Sequence, residues 1–138
     1  MSRSDWESKI RREAKELSVK LRVINPSSID ISEYNQRYLK DKLENLESEL
    51  AKDAHIMKNV LRDCEKPAAD IVFLDYGGGT SFLSLLAKQL GIGTVIYNDI
   101  YDVSCRDAQG IAESAGCRAD HYIEVVMTCP RKWCHLQG

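Results

Sequence analysis

The sequence lacks a long apolar run, and its charges nearly cancel. No stretch approaches the roughly 18 to 20 consecutive apolar residues that a membrane-spanning helix needs. The formal net charge is −2, from 19 Lys and Arg against 21 Asp and Glu, whereas proteins that bind the nucleic-acid backbone usually carry a basic excess. We therefore expect no membrane span, and the composition does not indicate a nucleic-acid partner. The 138 residues suffice for one domain or part of one.

The amino terminus lacks the apolar segment of a secretory signal. Residues 1–17 read MSRSDWESKIRREAKEL and are charged throughout, so we expect a cytoplasmic protein. The five cysteines are an odd number at irregular spacing and are expected to be reduced thiols. Cys129, Cys134 and His135 follow a C-x4-C-H pattern without a second Cys/His pair at zinc-finger distance, so we expect no metal site.

Glycine is absent from the first half of the chain. Residues 1–69 hold 14 Lys and Arg and 13 Asp and Glu, whereas residues 70–138 hold five and eight of these and all eight glycines. The first half therefore has a helical composition, and the second half has the glycine punctuation of an α/β unit. The predicted organisation is a helical extension over residues 1–68, an α/β unit over 69–126 and an irregular tail over 127–138.

Apolar residues recur every three or four positions in both parts of the helical extension, a spacing typical of amphipathic helices. The first set predicts one helix. Its members are Trp6, Ile10, Ala14, Leu17 and Leu21. After a break at Asn25-Pro26, Asp30 and Glu33 predict a helix start with an acidic cap. A second apolar stripe then continues over residues 34–61.

The part of this stripe over residues 43–61 has two interpretations. Its heptad-like spacing would suit a coiled-coil dimer, whereas an amphipathic helix would pack against its own domain. The stripe is short and mixed with Ala and Met, which favours the second interpretation.

The second half alternates between strand and helix patterns. The predicted elements are a buried strand at 71–74, a helix at 81–90, a strand at 94–97, a helix at 104–115 and a strand at 121–126. Gly91 and Gly116 follow the two helices, where glycine commonly ends a helix. The order β-α-β-α-β predicts an α/β fold with a parallel sheet, preceded by the helical segment.

A glycine loop lies between the first predicted strand and the first predicted helix of this unit. Residues 75–81 read DYGGGTS. The glycines let the backbone turn sharply and approach a ligand, and free N–H groups at a helix start favour polar or negatively charged groups. Asp99 follows the second strand, twenty residues after Gly79, where a carboxylate accepts hydrogen bonds from ribose hydroxyls. Together these features predict an adenosine-type site.

Two common nucleotide loops fit the glycines poorly. A G-x-G-x-x-G fingerprint places the bulky Phe82 at its last glycine, and a P-loop needs a lysine that this loop lacks. The pattern instead resembles motif I, D-x-G-x-G, of the class I S-adenosylmethionine-dependent methyltransferases. The matching residues are Asp75, Gly77 and Gly79, and the third glycine of the family falls on Ser81.

This resemblance implies a Rossmann-like fold, S-adenosyl-L-methionine as cofactor and methyl transfer to an acceptor that the sequence does not identify. It also implies that Asp99 binds the ribose, that Asp75 orders the methionine end of the cofactor and that the helical extension covers the pocket. The cofactor site that it implies comprises Asp75, Tyr76, Gly77, Gly78, Gly79, Asp99 and Ile100. It assigns no catalytic residue.

Other polar residues are assigned less clearly. For some, a role in ligand binding competes with a structural one, and for others we expect no ligand. One helical turn of the extension holds Tyr34, Arg37 and Tyr38. These residues either reach the carboxylate of the cofactor, or the two tyrosines pack within the protein and Arg37 is solvated. Asp102 and Asp107 are expected to be surface charges.

The resemblance covers about residues 30–125 and is specific over 71–99. Complete members of the family have a larger sheet, so we expect either a truncated chain or a partner, identical or different, that pairs with the exposed sheet edge. Two other functions stay open. One is a non-catalytic nucleotide-binding or regulatory partner subunit, and the other is a helical interaction protein acting through residues 30–64.

Overall fold

The computed structural model describes residues 2–124 of the chain. In chain order, the helices and strands are α1 (Arg3–Arg22), α2 (Glu33–Glu44), α3 (Leu46–Leu61), β1 (Val72–Tyr76), α4 (Phe82–Gln89), β2 (Thr94–Asp99), α5 (Asp102–Ala115) and β3 (His121–Glu124). Short 3-10 turns occupy Pro26–Ser28 and Ala68–Asp70. Two predictions lie outside the described residues. They are the tail with its C-x4-C-H pattern and the last two residues of the third strand.

The three strands form one parallel sheet in the order β1-β2-β3. Leu74 lies opposite Ile96 in the first pair, and Ile96 lies opposite His121 in the second. The prediction of an α/β architecture, with a helical segment ahead of a parallel sheet, is confirmed. Because the strands are parallel, their carboxyl ends meet at the same end of the sheet.

Strand β1 is buried on one face, not on both. Phe73 and Asp75 are buried, whereas Val72, Leu74 and Tyr76 are more than half exposed. The prediction of a fully buried strand is therefore wrong for every second residue. An apolar run places side chains on both faces of a sheet, and in β1 one of these faces is open to solvent.

The first predicted helix is confirmed, and its apolar face is the one that the spacing indicates. Trp6, Ile10, Leu17 and Leu21 are all fully buried. Helix α1 packs against α3 and α4, and the indole Nε1 of Trp6 donates a hydrogen bond to the carbonyl oxygen of Cys64 at 3.0 Å. The helical extension and the sheet therefore share one hydrophobic core.

The second apolar stripe forms two helices instead of one. Asn45 has φ −116° and ψ 32°, which ends α2 and begins α3. The predicted acidic cap at Asp30 is also wrong, because Ser32 is the cap of α2 and its Oγ accepts a hydrogen bond from the N–H of Asn35. The chain thus turns between α2 and α3, which lets each helix contact a different part of the domain.

Helix α3 packs against its own domain, as the second interpretation of the stripe had it. Its apolar residues Leu46, Leu50, Met57 and Leu61 are all buried, and the helix contacts α1 and α4. The residues that would form a coiled-coil seam are therefore already part of the core.

Asp107 is not the surface charge that the sequence suggested. It is 1% exposed and accepts hydrogen bonds from the Ser32 Oγ at 2.6 Å, the Ser32 N–H at 3.2 Å and the Asn35 Nδ2 at 2.7 Å. A buried carboxylate requires such partners, because an unpaired charge is costly in the interior. These bonds fasten the start of α2 to α5.

Both predicted glycine stops are confirmed. Gly91 and Gly116 have φ values of +80° and +67°, in the left-handed region that glycine adopts without steric cost. They follow α4 and α5 closely and turn the chain towards β2 and β3. Within residues 2–124, no helix is long and apolar enough to span a bilayer.

We predict that Asp107→Ala destabilises the protein by about 3 kcal/mol, because it leaves the buried amide of Asn35 and the half-buried donors of Ser32 without an acceptor. Urea denaturation measures this loss. Asp102→Ala is the matched control, since Asp102 is an exposed acid in the same helix, and we expect it to cost less than about 1 kcal/mol. Equal effects of the two variants would contradict the buried anchor.

Candidate functional site

The glycine loop joins β1 to α4 at the carboxyl end of the sheet. Three of its residues have positive φ values: +67° at Gly77, +55° at Gly79 and +72° at Ser81. Such values suit glycine and are unfavourable for other residues. Ser81, the position where the sequence departs from the glycine pattern, therefore has the backbone conformation that favours glycine.

Three hydrogen bonds hold the loop against the end of β2. The Gly78 N–H donates to the Asn98 carbonyl oxygen at 2.9 Å. The Tyr97 hydroxyl donates to the Gly79 carbonyl oxygen at 2.6 Å, and the Gly79 N–H donates to the Asp99 Oδ2 at 3.2 Å. The two parts of the predicted site are thus in direct contact.

The middle glycine is required because the loop passes close to a side chain. A Cβ atom built on Gly78 would overlap the ring of Tyr97 and lie 2.9 Å from Oδ2 of Asp75. No real Cβ approaches other atoms so closely, so even alanine at position 78 would push the loop away from β2.

Asp99 presents a carboxylate at the end of β2. Its Oδ1 accepts a hydrogen bond from the Tyr101 N–H at 3.0 Å, and its Oδ2 accepts the one from Gly79. The residue is buried, and it lines the cavity described below. Each carboxylate oxygen can accept a further hydrogen bond, so the group can still bind two hydroxyls of a ligand.

Asp75 lies beneath the loop instead of in the cavity lining. It is buried, and its Oδ2 accepts a hydrogen bond from the Ser84 Oγ at 2.6 Å. Burial raises the pKa of Asp75, and the hydrogen bond from Ser84 opposes that shift. Of the seven residues in the predicted cofactor site, the other six line the cavity.

The cavity at the loop has a volume of about 610 Å³. The loop and the residues after β2 form one side, and helix α2 forms the other. Its lining comprises Tyr34, Asn35, Tyr38, Lys42, Tyr76, Gly77, Gly78, Gly79, Thr80, Asn98, Asp99, Ile100, Tyr101 and Ser104. Tyr34 and Tyr38 are therefore brought to the predicted site, whereas Arg37 is outside this lining.

Two polar atoms of the lining residues are buried and have no hydrogen-bond partner among the described residues: Oγ1 of Thr80 and Oδ1 of Asn98. Ser81, next to Thr80, has a third such atom in its Oγ. A buried polar atom without a partner costs free energy, and such atoms call for an explanation such as a ligand.

Lys42 is the cation in the lining. Its Nζ lies 3.6 Å from the Glu49 Oε2 and 4.9 Å from the ring centroid of Phe82. Asp53 lies close to it. Burial raises the pKa of Asp53 to about 6, and the positive charge of Lys42 opposes this shift. The surroundings of Lys42 are therefore acidic.

Besides the two tyrosines of α2, the predicted site left out six lining residues, which are Asn35, Lys42, Thr80, Asn98, Tyr101 and Ser104. Asn98 and Tyr101 flank the predicted Asp99-Ile100 pair, so a wider window at the end of the strand would have included them. Lys42 had no local signal, because the docking of α2 brings it to the loop.

Among residues 2–124, no group of three or more His, Cys, Asp or Glu side chains is placed to hold a metal ion. Cys64, Cys105 and Cys117 are free thiols, and burial raises the pKa of Cys105. Comparison with protein families, curated proteins and solved structures finds no match to this chain. Any assignment of function therefore depends on the site itself.

We predict that Ser81→Gly stabilises the protein by about 1 kcal/mol, because it relieves a left-handed serine and removes a buried hydroxyl without a partner. Thermal and urea unfolding measure the change. Ser18→Gly, in the middle of α1, is the control and is expected to lose about 0.5 kcal/mol, because glycine has a lower helix propensity than serine. A loss of stability in both variants would contradict the left-handed conformation at position 81.

Proposed function

We propose that this chain is the cofactor-binding part of an S-adenosylmethionine-dependent methyltransferase with a Rossmann-like fold. The observation that carries the proposal is the contact between the glycine loop and Asp99. It brings the glycine loop and the Asp99 carboxylate together beside one cavity, at the carboxyl end of a parallel sheet. The acceptor of the methyl group and the catalytic residues stay unassigned.

The sheet topology supports the Rossmann-like part of the proposal. In doubly wound sheets the first three strands are neighbours, and the ligand lies outside the carboxyl ends of the strands. The order β1-β2-β3, with the glycine loop after β1 and Asp99 at the end of β2, fits that scheme. The left-handed Ser81 also fits, since the methyltransferase motif has a glycine there.

The residues present fit S-adenosyl-L-methionine as the ligand. Asp99 would hold the two ribose hydroxyls, and Ile100 offers an apolar contact for the adenine. Asp75 lies beneath the loop and outside the cavity lining, so it would act on the amino-acid end only indirectly, through water or the loop. Thr80 and Asn98 also line this cavity, and each has a buried oxygen atom without a hydrogen-bond partner among the described residues.

The cofactor, when bound, supplies a methyl group activated by a sulfonium. What the chain contributes is position: the loop and Asp99 fix the nucleoside, and α2 limits the space on the opposite side of the cavity. Holding donor and acceptor close and in line is the main requirement for a transfer of this kind.

The exposed sheet supports the proposal that a partner completes the fold. β1 is an edge strand of the described sheet, and Val72, Leu74 and Tyr76 expose apolar surface on it. A strand added at this edge by a second polypeptide would cover unpaired backbone groups.

A regulatory, non-catalytic subunit would use the same cavity. The helical interaction protein loses support, because the apolar face of α3 is buried.

Isothermal titration calorimetry of residues 1–138 with S-adenosylhomocysteine tests the proposal. We expect saturable binding that Asp99→Asn weakens at least about tenfold. The amide NH2 group cannot accept a hydrogen bond from a ribose hydroxyl, and the charge-assisted hydrogen bonds of the carboxylate are lost. Asp102→Asn removes a nearby exposed carboxylate outside the cavity lining and is expected to bind normally.

The ligand series decides between classes of nucleotide site. NAD and ATP are titrated in parallel, and both are expected to bind much more weakly than S-adenosylhomocysteine. Absence of binding by the folded chain, or equal binding of NAD or ATP, would contradict the methyltransferase assignment. Circular dichroism of each variant verifies that it is folded.

A further inference from the structure

Four of the six tyrosines of the chain line the cavity with exposed side chains. They are Tyr34, Tyr38, Tyr76 and Tyr101, which are 65%, 50%, 61% and 64% exposed. We call them the tyrosine rim. They come from three separate segments, namely α2, the end of β1 and the turn after β2, so their convergence is a product of the fold.

The two members of the tyrosine rim on α2 are close together. The ring centroids of Tyr34 and Tyr38 lie 5.3 Å apart with an angle of 44° between the ring planes. The neighbouring phenol of Tyr38 raises the pKa of Tyr34, and Tyr101 contributes to the same shift. Tyr101, from the turn after β2, lines the same cavity as this pair.

Exposed aromatic surface at the mouth of a cavity favours flat ligands. Aromatic rings attract each other in offset and edge-to-face arrangements, beyond the effect of the area that they bury. Tyrosine also binds at little cost in side-chain entropy, because it has few rotatable bonds. A saturated ring of equal size offers the same area without this attraction.

The charges near the cavity select against anions. Asp99 lines it, and Asp75 and Asp53 lie close by. Lys42, the cation of the lining, is engaged with Glu49 at 3.6 Å. A ligand with a net negative charge would approach this acidic surface unfavourably, whereas a cation would also gain from the faces of the tyrosine rings.

We infer that the tyrosine rim binds a planar aromatic ring that carries no negative charge, and that this ring belongs to the methyl acceptor. The second clause rests on the proposed function, whereas binding of the ring does not. The small cavity and its open mouth suit a small molecule, and the charge pattern disfavours a nucleic acid.

Saturation-transfer NMR with matched probes tests this inference on the chain with and without S-adenosylhomocysteine. Phenol against cyclohexanol tests the need for an aromatic ring. Tyramine against 3-(4-hydroxyphenyl)propionate tests charge, because the two share the phenol and differ in the sign of the terminal group. We expect phenol and tyramine to bind more tightly than their counterparts, whether or not the nucleoside is present.

The double variant Tyr34→Ala/Tyr38→Ala is expected to weaken phenol and tyramine about tenfold, while the double variant to Phe retains their binding. Val23→Ala, at a highly exposed apolar residue outside the cavity lining, is the control and should change nothing. Because Tyr34 and Tyr38 are exposed, these variants are expected to fold, and circular dichroism verifies it.

The possible outcomes separate the two proposals. Equal binding of phenol and cyclohexanol, or tighter binding of the anionic probe, would overturn the inference even if S-adenosylhomocysteine binds. Displacement of phenol by S-adenosylhomocysteine would also overturn it, because the tyrosine rim would then belong to the nucleoside site. Ring binding without any binding of S-adenosylhomocysteine would uphold the rim and refute the proposed function.

Discussion

The close approach of the glycine loop to β2 is the constraint on which the site depends. The Gly78 N–H bonds to the strand, the Tyr97 hydroxyl bonds back to the loop, and position 78 has no room for a side chain. Without that approach, the Gly79 N–H would not reach Asp99. The loop would then be an ordinary turn between a strand and a helix, and the carboxylate would face solvent alone.

A second constraint places the other side of the cavity. Asp107 is buried in α5 and binds Ser32 and Asn35 at the start of α2. This anchor brings α2 across from the loop, so that Tyr34 and Lys42 line the same cavity as Asp99. The first constraint lies within residues 78–99, whereas the second joins residues 32–35 to residue 107. The cavity therefore exists only in the complete fold of the described residues, and neither the helical extension nor the sheet forms it alone.

The sequence predicted the features that depend on neighbouring residues. The loop, α4 and Asp99 lie within one strand–helix–strand unit, so their spacing alone indicated that they would meet. Asp107 was misjudged because its partners are 72 and 75 residues away, and a lone acid in a helix usually faces water. The break at Asn45 was missed because Leu43, Leu46 and Leu50 keep helical spacing across it. The exposed face of β1 was missed because an apolar run does not tell which faces of a sheet are covered.

The central claim is that the loop and Asp99 form one nucleoside site, and amide NMR of the ¹⁵N-labelled chain titrated with S-adenosylhomocysteine tests it most directly. The account predicts that the amide signals of Gly77, Gly78 and Gly79 shift together with those of Asp99 and Tyr101, and that all reach saturation at one ligand concentration. The claim would be contradicted if saturable shifts occurred only at amides elsewhere in the chain. It would also be contradicted if the chain were folded and the amides of the loop did not shift.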